Sequence, residues 1–85
     1  MADATSVFIL EHREYNKGLI VSLIAYVGWT IEDAIEYIKS PEGQEYKNTA
    51  DPYWFALFDA TVGTEEVTFI NFYNADGEPI EEQPL

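Results

Sequence analysis

Apolar residues along this chain fall into blocks separated by turn-forming residues, and the spacing within each block predicts its element. Ser6 to Glu11 is β-branched and aromatic, Tyr15-Asn16-Lys17-Gly18 has turn composition, and Leu19 to Val27 is apolar again. This succession predicts a hairpin, with an apolar helix over 19–27 as the rival reading. Ile31, Ala34, Ile35 and Ile38 then recur at helical spacing and predict a helix at 31–39. Thr30 is placed to cap it, Asp33 follows at the third position as a variant of the capping box, and Ser40-Pro41 stops it. Glu32, Asp33 and Glu36 fall on its outer face.

Downstream, Tyr53 to Ala60 and Glu66 to Tyr73 flank a short turn at Val62-Gly63-Thr64 and predict a second hairpin. Trp54, Ala56 and Phe58 alternate with Tyr53, Phe55 and Leu57, while Thr68, Ile70 and Phe72 alternate with Val67, Phe69 and Tyr73. Both faces of this hairpin are therefore apolar and need a cover. One helix covers one face. The other must meet the first hairpin, a second helix or a partner chain, which makes a homodimer through an apolar sheet face, or an aromatic docking surface, an expectation. The expected fold is α+β: an antiparallel sheet of about four strands in two hairpins, with one main helix at 31–39. A single domain is expected over 1–76, followed by an acidic, proline-punctuated tail over 77–85 that should fray.

Length and composition narrow the class. Eighty-five residues hold one core, and 47% hydrophobic residues are enough to fill it, so intrinsic disorder is not expected despite the charge. There is no cysteine, which removes disulfides, zinc–thiolate clusters and thiol nucleophiles and suits a reducing, cytoplasmic setting. The N-terminus has no basic segment leading into a hydrophobic stretch, and Leu19 to Val27 is far shorter than the roughly 20 residues of a membrane-spanning helix. No membrane association is expected.

Charge changes the picture most. Sixteen carboxylates against four Lys/Arg give a net charge of −12, and no Lys or Arg follows Lys47. Such a field repels nucleic acid and anionic lipid and attracts basic surfaces. Direct nucleic-acid binding is therefore disfavoured, and a partner should be basic. The competing account is that the acidity only keeps an aromatic-rich protein soluble.

Candidate chemistry is sparse. His12, the single histidine, lies between Glu11 and Arg13 at the end of a predicted strand, with no nucleophile motif beside it. No sequence signal selects an acid–base pair from the sixteen carboxylates. Asn74-Ala75-Asp76-Gly77-Glu78 superficially resembles a calcium loop but lacks the alternating acids and distal glutamate, so a turn is the better reading. No glycine-rich phosphate loop or zinc spacing exists. We therefore expect no enzyme activity, no cofactor and no metal.

The acids carry more information. Glu32 and Glu36 lie one helical turn apart, where like charges cost a helix a few tenths of a kcal/mol. Their rise of about 6 Å is near the interval of neighbouring phosphates along a strand. Carboxylates at that interval imitate the charge of nucleic acid without its groove edges. The candidate partner-binding set is Glu32, Asp33, Glu36, Asp59, Glu65, Glu66, Asp76 and Glu78, and the expected partner is a basic nucleic-acid-binding protein that the chain inhibits. The alternative is a non-enzymatic interaction module that docks through Tyr53, Trp54, Phe55, Phe69 and Tyr73.

Val7-Phe8-Ile9, Tyr15-Asn16-Lys17-Gly18, the apolar strand from Leu19, Ile31-Glu32-Asp33, Glu45-Tyr46, and Tyr53 before Asp59 together resemble the N-terminal domain of ArdA-type antirestriction proteins. The likeness covers roughly residues 7 to 60. That family consists of DNA mimics that block restriction-modification enzymes. The resemblance implies a strand, a Tyr-Asn-x-Gly turn, a second strand, a short helix and a further strand in that order, which favours strand over helix for residues 19–27. The family's chains contain three domains, and their acidic antirestriction segment has no counterpart in this sequence.

Overall fold

The computed structural model describes residues 5–48 and 52–83. The elements are β1 (Ser6–Asn16), β2 (Leu19–Gly28), α1 (Ile31–Lys39), a 3₁₀ helix (Gly43–Asn48), β3 (Tyr53–Thr61), β4 (Val67–Tyr73) and β5 (Pro79–Ile80). All pairings are antiparallel, in the order β2-β1-β3-β4-β5. The two hairpins are joined through β1 and β3, and a two-residue fifth strand extends the four that the pattern predicts.

Residues 19–27 are strand, within β2. The connection that makes them so is a two-residue loop: Asn16 pairs with Leu19, leaving Lys17 at φ 52° and Gly18 at φ 84°. Positive φ at both central residues is the hairpin turn whose twist matches its strands, and the glycine supplies one of the two at no steric cost. β1 runs to Asn16, well past the predicted end at Glu11. Its polar second half, His12 to Asn16, pairs with β2, and through Glu14 also with β3, so hydrogen bonding on both sides holds a sequence that lacks strand propensity.

Register assigns every side chain a face. Leu10 and His12 of β1 stand opposite Leu57 and Phe55 of β3, and Phe55 stands opposite Tyr73 of β4. α1 packs on this face. Its Ala34 and Ile38 are fully buried with Leu10, Phe55 and Leu57, and Tyr73 closes the cluster. Each large side chain buried this way is worth about 1.5–3 kcal/mol, so this cluster is a large favourable contribution to the fold. His12 belongs to it. The ring is 2% exposed, 5.1 Å from the Tyr53 ring and 5.5 Å from Phe55. Burial pulls its pKa below the usual histidine value, against the opposing pull of Glu14.

No helix covers the other face among the described residues. Trp54, Ala56, Phe58, Phe69 and Phe72 lie there, with Phe69 5.7 Å from Phe58 and 4.6 Å from Phe72. Arg13 spreads over them. Its guanidinium carbon is 5.7 Å from the Phe58 ring and 5.9 Å from Phe72, its Nε donates to Glu11 (2.9 Å) and its Nη1 to Gln83 Oε1 (2.9 Å). One arginine thus roofs an aromatic cluster and ties residue 83 to β1.

The interaction surface expected from Tyr53, Trp54, Phe55, Phe69 and Tyr73 does not exist as such. Phe55 and Tyr73 are core, Trp54 is fully buried, and the five divide between opposite faces of the sheet. Sequence alternation assigns relative sides but not which side is covered. The stretch expected to fray carries β5, which pairs Ile80 with Phe72 and Pro79 with Tyr73; Pro84 and Leu85 lie outside the described residues. No described helix is long and apolar enough to cross a membrane.

Candidate functional site: an acidic helix face and a tyrosine groove

α1 is held by its ends. Thr30 Oγ1 accepts the backbone N–H of Asp33 (3.1 Å), and the Ser40 backbone N–H and hydroxyl both donate to the Tyr37 carbonyl (3.1 and 2.6 Å). These bonds satisfy groups that a nine-residue helix otherwise leaves orphaned. Glu32 and Asp33 sit in the first turn, where the helix dipole favours negative charge and offsets their mutual repulsion. Glu32 and Glu36 point to solvent and Asp33 is half-buried.

Beside this face lies an open groove of ≈ 340 Å³ lined by Tyr26, Asp33, Glu36, Tyr37, Ser40 and Glu42. Tyr26 comes from β2 and Tyr37 from α1, and their rings stack with centroids 5.0 Å apart and planes 18° apart. Glu42 is delivered by the tight turn after the helix. There Gly43 donates its N–H to Ser40 Oγ (3.2 Å), and a Cβ on Gly43 would collide with the Tyr37 and Ile38 carbonyl oxygens. Only glycine lets the chain fold back this closely. Three carboxylates thus line one groove with a pair of aromatic rings, and these are the groups that a guanidinium uses, stacking on a ring and hydrogen-bonding carboxylate in its plane.

The other candidate acids fall into three places. The turn bearing Asp76 and Glu78 packs beside the last turn of α1: a Cβ on Gly77 would lie 3.0 Å from Lys39 Cε and 3.6 Å from Ile35 Cγ2. The Gln44 amide links the two by donating to the Ile38 (2.6 Å) and Ala75 (3.0 Å) carbonyls. Asn74 Oδ1 accepts the backbone N–H groups of Asp76 (2.9 Å) and Glu78 (3.0 Å), which explains the sequence of this turn without a metal. Glu65 and Glu66 are exposed at the β3–β4 turn, at the sheet end where Phe8 pairs with both Gly28 and Asp59 and where α1 begins. Asp59 differs from the rest. It is half-buried, and its Oδ1 is enclosed with no hydrogen-bond partner among the described residues, so it is poorly placed to meet a partner's cation.

The fold therefore sets Glu32, Asp33 and Glu36 on α1 with the Asp76–Glu78 turn beside its last turn, leaves Glu65 and Glu66 at one sheet end and half-buries Asp59. Glu32, Asp33, Glu36, Glu65 and Glu66 form no ion pair with a described residue; Glu11 does, with Arg13. Sequence reading missed Tyr26, Tyr37 and Glu42. Tyr37 follows Glu36 on the same helix, but its partner is eleven residues upstream in another element, and only the β2–α1 packing reveals the pair. No group of three or more potential metal ligands gathers among the described residues. Compared with family models, curated proteins and solved structures, the chain matches none.

Proposed function

We propose that this chain is an acidic, cytoplasmic inhibitor that presents nucleic-acid-like charge to a basic nucleic-acid-handling protein, with restriction and other defence enzymes the first class to test. The observation that carries the reading is the grouping of Glu32, Asp33 and Glu36, which form no ion pair with a described residue, on α1 beside a tyrosine-lined groove suited to arginine. A DNA-binding cleft is rich in arginine and lysine aimed at phosphates, and a rigid helix bearing Glu32, Asp33 and Glu36 offers those cations partners without a base edge. Such an interface weakens as salt rises. It calls for no catalytic group in this chain.

The test is a comparative capture. The wild-type chain and the combined Glu32→Gln, Asp33→Asn, Glu36→Gln variant are immobilised and exposed to bacterial lysate at low salt, with duplex DNA as competitor. A DNA-binding enzyme held by the wild-type chain, displaced by DNA and lost with the variant supports the proposal. Equal retention by both proteins, or retention indifferent to DNA, refutes it.

A further inference from the structure

The sheet has two edges, and they are built differently. β5, at one edge, is two residues long, opens on Pro79 and is flanked by Glu78, Glu81 and Glu82. Short length, proline and charge are the standard devices that stop an edge from pairing with another chain. β2, at the other edge, has none of them. It runs ten residues, Leu19–Gly28, with no proline and no charged side chain. The uncharged stretch extends from Gly18 to Ile31, the longest in a chain of net charge −12.

Over Leu19–Ile24, before Ala25 and Tyr26 reach the core and α1, β2 is also exposed on both faces. Leu19 (69%), Val21 (45%) and Leu23 (48%) are exposed on the helix side, beyond the reach of α1, and Ile20 (44%), Ile24 (62%) and Val27 (54%) on the other. Trp29, which follows, is 69% exposed. Edge-to-edge pairing leaves both faces open and sets the like side chains of two such strands beside each other, as cross-strand apolar pairs on each face. Every second residue of an edge strand also turns its N–H and C=O outward. A full antiparallel pairing of two such strands makes about ten hydrogen bonds, as many as a typical interface contains.

We infer that β2 is a pairing edge for a second copy of this chain, joined antiparallel about a two-fold axis into one continuous ten-stranded sheet. Charge selects the occupant. A basic partner finds its carboxylates along α1 and none along β2. Two copies, each strongly negative, need a contact free of carboxylates, and the 18–31 stretch is the place where the sequence supplies one. A two-fold contact uses the same strand twice, and the protected β5 edge stops the assembly at two. Both copies of α1 then lie on one side of the sheet. The pairing stands on backbone and apolar surface, so it does not depend on the inhibitor reading.

Sedimentation velocity on the full chain, over a range of protein and salt concentrations, tests the inference, with hydrogen exchange run on the same samples. The expected result is a reversible dimer that strengthens as salt screens the repulsion between copies, with protection of alternate β2 amides that grows with protein concentration. Leu23→Lys combined with Ile24→Lys should give a monomer with an unchanged circular dichroism spectrum, whereas Phe69→Lys, on β4, should leave the dimer intact. A wild-type chain that stays monomeric at high concentration, open-ended aggregates, or a dimer whose β2 amides exchange as in the monomer would each overturn it. Hydrogen exchange on the wild-type chain decides the matter even if the double variant fails to fold.

Discussion

β2, mostly aliphatic, and β3, rich in aromatics, are both strongly apolar strands and meet opposite fates. Both are long, apolar on both faces and free of proline within the strand. Yet Trp54, Phe55, Ala56 and Leu57 of β3 are completely buried, while most of β2 is exposed. The difference lies in strand order. β3 stands between β1 and β4, under α1 on one side and within the Arg13-roofed aromatic cluster on the other, whereas β2 has a single neighbour. Hydrophobicity therefore marks where a strand forms. What that strand contacts depends on its neighbours, and where neighbours run out an apolar strand becomes a surface.

Substitutions break this comparison in a graded way. Phe55→Ala, at the centre of the core, should cost about 3–5 kcal/mol, because removing a fully buried aromatic ring leaves a cavity. Urea unfolding monitored by circular dichroism measures this as a lowered midpoint at unchanged slope; a loss below ~1 kcal/mol would show that β3 is not the centre of stability. Thr30→Ala should cost about 1 kcal/mol by orphaning the Asp33 N–H at the start of α1. Ile24→Thr on β2 should change monomer stability by no more than ~0.5 kcal/mol, since its side chain has little to lose. A large effect there, measured at low protein concentration, would mean that β2 is covered within one chain.

Acidification sharpens the same contrast through His12. Its pKa is lowered in the folded state because the ring is buried, so the unfolded chain takes up the proton first. Stability attributable to neutral His12 is complete above the ordinary histidine pKa of about 6.5 and is lost as pH falls from there through the lowered value. His12→Phe should remove that component. The expected outcome is a smaller loss of stability in the variant than in the wild type between neutral and mildly acidic pH. Parallel curves would show that His12 titrates alike in both states.

Much of the architecture was legible from pattern alone. The period of Ile31, Ala34, Ile35 and Ile38, with Thr30 before and Ser40-Pro41 after, fixes α1 because caps and stops are local signals. The Asn16-Lys17-Gly18 turn likewise marks the first hairpin. The extension of β1 through His12 and Arg13 was not legible, since it depends on hydrogen bonds from two neighbouring strands that are distant in sequence. For the same reason the five aromatics grouped as one surface divide between core and opposite face. That Glu32, Asp33 and Glu36 share one helix was legible because its period and caps are local. Tyr26, Tyr37 and Glu42 were not, because the groove forms only where β2, α1 and the Gly43 turn meet.

The most direct measurement is an NMR titration of the isotope-labelled chain with a short arginine-rich peptide, recorded at low and moderate salt. The account predicts that the shifts cluster on Glu32, Asp33, Glu36 and the Tyr26–Tyr37 groove and fade as salt rises. Shifts spread over all carboxylates, with Glu65, Glu66, Glu81 and Glu82 responding as strongly as α1, would contradict it and return the acidity to solubility alone.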